Sequence, residues 1–267
     1  MDTERQLVER ARAGDEAALN RLVEAYAPRV LRFGQKLCRN EEDARDVTQQ
    51  TLLSVADKIR DFRAESQFAT WLFAIARSHC IKQRTRGAAA FRTEPLDEGA
   101  AGAAAAPLPA QDEQLAKREL ETALEFAIRA LEPGQREVLV LRDVEGLSAA
   151  EVAIALELSV EAVKSRLHRA RKALRESLAP WFEPNTPGPS CPDVVDLLSR
   201  YQEGDVTSDA CKTMEAHVDG CPECAKRCHS LRRVLAACST VPAPELPPEL
   251  HARVVEQIKK SLRRQTS

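Results

Sequence analysis

The stretch from Leu147 to Arg175, LSAAEVAIALELSVEAVKSRLHRARKALR, constrains the fold more than any other part of the chain. Ser148 is a helix N-cap residue, and Glu151 three positions later completes a capping box. Val152, Ile154, Ala155 and Leu158 keep helical spacing. Ser159 offers a second N-cap, and Val160, Val163, Leu167, Ala170 and Leu174 form one apolar face of a second helix. Two short helices joined by about three residues make a helix-turn-helix. The second helix carries Lys164, Arg166, Arg169, Arg171, Lys172 and Arg175 away from its apolar face. Such a helix enters the major groove, where Arg and Lys reach phosphates and guanine edges. The competing reading is an ordinary helix pair with a solvated basic face. Caps, periodicity and one-sided charge together favour DNA binding.

The rest of the composition agrees with a helical chain. With 267 residues there is room for two or three small domains. The formal net charge is only −2, so the positive charge is local rather than global. Helix formers are abundant and β-branched runs scarce, which predicts an all-α fold; the motifs and resemblances described below divide it into two helical domains, the second built on a helix-turn-helix without a wing, and a small helical metal-binding C-terminal domain. No run approaches 18 apolar residues, so no membrane span is expected. The N-terminus, MDTERQLVERARAGD, is charged and lacks the apolar core of a signal peptide, which predicts a cytoplasmic protein. There are eight cysteines, six of them between Cys191 and Cys238. In a reducing compartment they favour metal or redox chemistry over structural disulfides.

Residues 1 to about 86 read as packed helices. Asp15 and Asn40 are N-caps, and Glu16 and Glu41-Glu42-Asp43 place acid in first turns. Leu19, Leu22, Val23, Tyr26, Val30, Phe33 and Leu37 form a long apolar stripe, continued by Val47, Leu52, Val55 and Ile59 on the next helix. Ser66 is placed to cap a further helix running to Lys82, Arg84 and Arg86. No acidic residue lies between Glu65 and Glu94. Aromatics among positive charge suit single-stranded nucleic acid, since bases stack on rings and phosphates meet cations. Burial in the core is the simpler reading for Phe68 and Trp71, because large aromatics are usually inside.

The wording of these segments goes further than their periodicity. Leu131-Glu132-Pro133, Arg136-Glu137-Val138, Leu141-Arg142, Gly146-Leu147-Ser148, Glu151-Val152-Ala153 and Val163-Lys164-Ser165-Arg166-Leu167-His168-Arg169-Ala170-Arg171 together resemble region 4 of extracytoplasmic-function (ECF) sigma factors. That region binds the promoter −35 element, so the resemblance implies DNA contacts from Lys164, Ser165, Arg166, His168, Arg169 and Arg171. Glu157 departs from the pattern, standing where the family usually has a turn glycine. If the position is left-handed, glutamate costs about 1 kcal/mol there. Asp43-Ala44-Arg45-Asp46-Val47-Thr48-Gln49-Gln50-Thr51-Leu52 resembles the region 2 helix that docks on the polymerase clamp, implying contacts from Asp46, Gln49 and Gln50. Gln50 replaces the usual Glu, and Leu52 the usual Phe. Phe62-Arg63 through Arg77 resembles the segment that recognises and melts the −10 element, implying roles for Phe68, Trp71, Phe73, Arg77 and Ser78. Ser78 stands where many members carry Asn.

The cysteine cluster is a separate signal. His217-Val218-Asp219-Gly220-Cys221-Pro222-Glu223-Cys224 is H-x3-C-x2-C. A tight turn lets both cysteines reach one metal, with His217 one helical turn before Cys221, and tetrahedral zinc accepts this donor mixture. Cys191 is the best fourth ligand. Residues 191 to 224 resemble the zinc-binding anti-sigma fold. Cys211, Cys228, His229 and Cys238 are surplus to a structural site. Cys228, one turn past Cys224, is spaced to approach the same metal. One surplus cysteine is usually a small buried hydrophobe, but three with a histidine point to inducible metal or redox sensing.

The expected organisation is region 2 at 1–90, a low-complexity flexible linker at 91–112, region 4 at 113–179, a Pro-rich linker at 180–190, the Cys-rich domain at 191–238, and a Pro-rich stretch with a final helix at 239–267. That helix, with Leu250, Val254, Ile258 and Leu262 on one face, either packs on another domain or is a solvated tail. The whole resembles metal-responsive ECF sigma factors with a fused Cys-rich domain. The implied partners are core RNA polymerase and promoter DNA, with no membrane and no separate membrane anti-sigma protein. The implied cofactor is zinc, with a thiophilic metal such as cadmium or copper as inducer. The alternative regulation is a redox-sensing sigma factor with a structural zinc. No catalytic residues are expected. A thiol oxidoreductase using Cys221 and Cys224 is disfavoured because no βαβ pattern surrounds them. A metal-buffering adaptor is the third reading.

Overall fold

The computed structural model describes residues 3–90, 113–182, 188 and 190–265. The expected linker at 91–112 lies outside these residues, as does much of the one at 180–190. All regular structure among the described residues is helical. The chain forms two compact units, one of residues 1–96, 154–157 and 242–267, the other of residues 97–153 and 158–241.

The first unit holds α1 (Glu4–Arg12), α2 (Glu16–Leu37), α3 (Glu41–Lys58), α4 (Phe68–Ala90) and the last helix, α12 (Pro248–Gln265). Asp15 and Asn40 cap α2 and α3, accepting from the Ala18 and Asp43 amides. The stripe from Leu19 to Leu37 is buried, as are Val47, Leu52, Val55 and Ile59. Gly34 is what lets α2 and α3 approach so closely: a Cβ there would lie 3.2 Å from the Ala44 backbone. Ser66 does not cap α4, which begins at Phe68; its hydroxyl donates instead to the Gln67 carbonyl at 3.4 Å. The last helix is not a solvated tail. It packs on α3, burying Leu250, Val254 and Ile258.

The second unit holds α5 (Glu113–Ala130), α6 (Pro133–Leu139), α8 (Val160–Ser177), α9 (Val194–Gln202), α10 (Ser208–Gly220) and α11 (Pro222–Ser239); α7 (Ala149–Leu156) is divided, with residues 149–153 here and 154–156 assigned to the first unit. The capping box forms: the Ser148 amide donates to Glu151 at 2.8 Å, and the Glu151 amide to the Ser148 hydroxyl at 3.2 Å. Ser159 caps α8 through the Ala162 amide. Glu157, in the turn between α7 and α8, has φ +56°, the left-handed region that its departure from glycine makes costly. A single π turn, Val140–Val144, follows α6 and presents Asp143. Val163, Leu167, Ala170 and Leu174 are fully buried, so the apolar face of α8 is a core face.

Candidate nucleic-acid interface and metal centre

The basic face of α8 is not a free surface. Lys164 hydrogen-bonds Asp205, and His168 Nδ1 lies 3.3 Å from Asp196 Oδ1. Arg171 is 0 % exposed, and its guanidinium makes five hydrogen bonds: Nε and Nη2 to Asp143 at 2.9 and 2.6 Å, Nη2 to Glu203 at 2.7 Å, and Nη1 to the Ser199 hydroxyl and carbonyl at 3.1 and 3.2 Å. Five donors matched by five acceptors leave nothing on this side chain for a base edge. Burial works against its charge, but Asp143 and Glu203 outweigh burial and hold the guanidinium protonated. Glu203 also accepts from Arg142 Nε at 3.1 Å. Arg175 is buried as well, donating to the Ser230 hydroxyl at 3.1 Å.

Arg171 as a reader of bases is therefore corrected for this arrangement. Its length and fork geometry are spent on joining α8 and the π turn to α9. Ser165, Arg169 and Lys172 remain exposed, and Arg166 is half-buried beside Gly134. The acceptors come from α9 and the turn after it: Asp196, Ser199, Glu203 and Asp205. Sequence reading missed them because acidic residues on a surface helix look solvated. Their signal was complementarity to a basic face elsewhere in the chain.

The four candidate ligands of the Cys-rich segment converge in space. The ligand atoms of Cys191, His217, Cys221 and Cys224 all lie within 4.8 Å of one another. Cys191 Sγ and Cys221 Sγ are 3.8 Å apart, and His217 Nε2 and Cys224 Sγ 3.2 Å. A zinc–sulfur bond of ~2.3 Å gives a tetrahedral edge of about 3.8 Å, so a Cys3His zinc site fits this donor set. The thiols of the cluster are unequal. Burial and the neighbouring thiols push Cys224 up to about 12, while the Cys224 amide draws Cys221 below its usual value.

The cluster stands on the core of the three-helix bundle, where Val194, Val195, Leu198, Leu231 and Leu235 meet Cys224 and Cys228. Cys228 thus packs as a small hydrophobe, correcting the expectation that it approaches the metal. Cys211, His229 and Cys238 also stand outside the four converging groups. An open cleft of about 570 Å³, lined by Ser190, Cys191, Pro192, Leu197, Met214 and His217, reaches two of the four ligands from solvent.

In the first unit, Phe68 and Phe73 are core residues. Phe73 is 0 % exposed and stacks near Phe33, with ring centroids 5.3 Å apart. Neither ring is presented to a nucleic-acid base, so direct stacking by them is corrected to a packing role. Trp71 is half-buried against Phe62 and Phe68, Arg77 is half-buried, and Ser78 is exposed. Asp46 and Gln50 are exposed on α3. Gln49 Nε2 donates to Gln257 Oε1 of α12 at 2.9 Å.

Comparison with known proteins gives these segments their names. The Sigma-70 region 2 model matches residues 22–89, the Sigma-70 region 4 model residues 121–174, and a zinc-finger family model residues 191–225. The chain is 30% identical over 183 residues to the ECF RNA polymerase sigma-E factor of Haemophilus influenzae, covering 67% of this chain and 96% of that one. The chain belongs to the ECF sigma factors. The RNA polymerase sigma-H factor of Pseudomonas aeruginosa is 29% identical over 67% of this chain and 95% of its own length. The sigma factor SigE of Mycolicibacterium smegmatis is 33% identical over 62% of this chain and 65% of its own. Among solved structures, CnrH in complex with the cytosolic domain of CnrY is 28% identical, with a TM-score of 0.49 over 67% of this chain and 98% of that one.

This sigma factor therefore directs core RNA polymerase to promoter DNA and is not an enzyme. Its region 2 is α2 to α4, its region 4 runs from within α5 to α8, and an anti-sigma-like domain is fused behind them. No helix among the described residues is long and apolar enough to cross a membrane.

Proposed function

We propose that this sigma factor is held inactive in cis by its own C-terminal segments, and that metal at the Cys-rich domain sets how firmly they hold. The observation that carries the reading is the network around Arg171. Asp196, Glu203 and Asp205 take positions on α8 that promoter phosphates would otherwise take, meeting His168, Arg171 and Lys164. In the first unit, α12 covers part of α3, and Gln257 occupies Gln49, one of the residues that family resemblance assigns to the polymerase clamp. The −35 reader and the polymerase-docking helix are each engaged by a segment of the same chain, so no separate anti-sigma protein is required for restraint.

Cys191, His217, Cys221 and Cys224 would hold zinc and so fix α9, α10 and α11 as one bundle. Zinc ligation contributes on the order of 10 kcal/mol to ordering small domains, and ~5.5 kcal/mol of differential binding moves a switch from 1:99 to 99:1. A thiophilic metal such as cadmium or copper, entering by the cleft beside Cys191 and His217, would draw the thiolates into another geometry and loosen α9 from α8. Oxidation of the ligand thiols would loosen it by the same route.

The experiment is run-off transcription by the full chain with core polymerase across a titration of zinc, cadmium and copper. Zinc-loaded protein should transcribe weakly and protein given the inducing metal strongly. Equal transcription at every metal concentration, by the parent and by Cys221→Ser and Cys224→Ser alike, would reject metal control.

A further inference from the structure

The two cysteines that lie outside the C-terminal domain meet each other. Cys38 follows α2 as its C-terminal cap, and Cys80 lies in the middle of α4, 42 residues further on. Their sulfurs are 3.4 Å apart. We propose that Cys38 and Cys80 form a redox-modification site, a dithiol that closes reversibly to a disulfide within the N-terminal helical body.

The two thiols are unequal in a way that suits this chemistry. Cys38 is only partly buried, so a small oxidant reaches it, whereas Cys80 is 2 % exposed and meets the Cys38 sulfur from inside. A hydrogen bond from Cys80 holds the Cys38 thiol below its ordinary range, helped by Arg84 and opposed by burial and by Asp43. The thiolate is the reacting form, and a solvent-accessible thiol of lowered pKa beside a resolving cysteine is the pattern of a redox site. A disulfide needs ~2.05 Å between sulfurs, so closure takes about 1.4 Å of combined movement. The helices on either side are already pinned, since Gln83 of α4 donates to Asp43 of α3 at 2.8 Å.

With hydrogen peroxide the step balances. The Cys38 thiolate attacks one peroxide oxygen, the O–O bond breaks, and hydroxide leaves to be protonated to water, giving a sulfenic acid. The Cys80 sulfur then attacks the Cys38 sulfur, the S–O bond breaks, and the Cys80 proton departs with the hydroxyl as a second water. Two thiols lose two electrons, and one peroxide becomes two waters. The product ties the turn after α2 to α4, the helix that begins with Phe68 and Trp71. A bond between these elements makes the unit harder to unfold while it lasts.

The test treats the intact zinc-loaded chain with hydrogen peroxide, alkylates the remaining thiols, and maps peptides by mass. The expected result is a linked pair carrying Cys38 and Cys80, two hydrogens lighter than the reduced peptides and lost on adding dithiothreitol. Cys80→Ser, or Cys80→Ala should the serine variant fold poorly, should instead leave Cys38 as a sulfenic acid that dimedone traps. Cys38→Ser should leave Cys80 reduced. The proposal is overturned if both residues are recovered alkylated when the C-terminal thiols are fully oxidised. It is equally overturned if Cys38 is found linked to a cysteine other than Cys80.

Discussion

Arg171 and Glu203 meet at 2.7 Å with side chains 0 % and 4 % exposed, and through them the recognition helix is joined to the Cys-rich domain. A charge pair this deep is worth little over an apolar replacement, but removing one partner alone strands the other. Arg171→Ala should therefore destabilise the second unit by about 3–5 kcal/mol, since Asp143 and Glu203 lose their shared cation. Arg171→Met keeps much of the volume and serves as the control. Chemical denaturation followed by circular dichroism measures both. A loss under about 1 kcal/mol in Arg171→Ala would mean that the network is not formed in solution.

The metal set has a sharp expectation. Cys191→Ser, His217→Ala, Cys221→Ser and Cys224→Ser should each lose tightly bound zinc, because a closed structural site needs all four donors. Cys211→Ser, Cys228→Ser and Cys238→Ser should keep it, with Cys228→Ser costing some stability from its place in the bundle core. Metal analysis of the purified proteins decides this. Zinc retained by Cys191→Ser and lost by Cys228→Ser would reverse the assignment.

Val254 and Ile258 are fully buried where α12 packs on α3 within the first unit. Placing charge on an apolar helix face desolvates it without a partner, so Val254→Asp should detach α12 at a cost of several kcal/mol to that contact. If α12 restrains polymerase docking, Val254→Asp raises the affinity for core polymerase, and Gln257→Ala raises it less. Affinity unchanged by Val254→Asp would remove α12 from the account and leave the restraint to the second unit alone.

Phe73→Ala should cost about 3–5 kcal/mol of stability as a cavity in the first unit. Promoter opening by that variant should then fall only as far as its folded fraction falls. Ser78, exposed on α4, is the opposite case, and Ser78→Arg should leave the melting temperature unchanged while altering opening at the −10 element. An opening defect in a fully folded Phe73→Ala protein would restore a direct role to that ring.

Local features of the fold were legible in the sequence because they are set by neighbours along the chain. Asp15, Asn40, Ser148 and Ser159 cap helices through residues three positions away. The stripe from Leu19 to Leu37 reports its burial through a period of 3.6. The turn at Glu157 was legible as a left-handed position held by the wrong residue type, and Glu157→Gly is expected to gain roughly 1 kcal/mol. His217, Cys221 and Cys224 were legible from spacing, and Cys191 followed from the pattern. Contacts between distant segments left no such trace. Nothing near Arg171 says that it is buried, since its partners Ser199 and Glu203 lie about thirty residues away, on α9 and at its C-terminal end. Gln257 on Gln49 and Cys38 on Cys80 are of the same kind. Phe73 misled because a family motif marks a segment, while burial is decided residue by residue within it.

In the proposed restraint, acidic residues of the Cys-rich domain mask α8. This masking is tested most directly by neutralising them in place, with Asp196→Asn, Glu203→Gln and Asp205→Asn in one zinc-loaded full-length chain. Shape and volume are kept, and the charge facing Lys164, His168 and Arg171 is lost, together with that facing Arg142. Run-off transcription with core polymerase on a cognate promoter should rise about tenfold or more, which corresponds to ~1.4 kcal/mol of masking removed. Transcription unchanged or lower, from a variant that keeps its helicity and its zinc, would contradict the account.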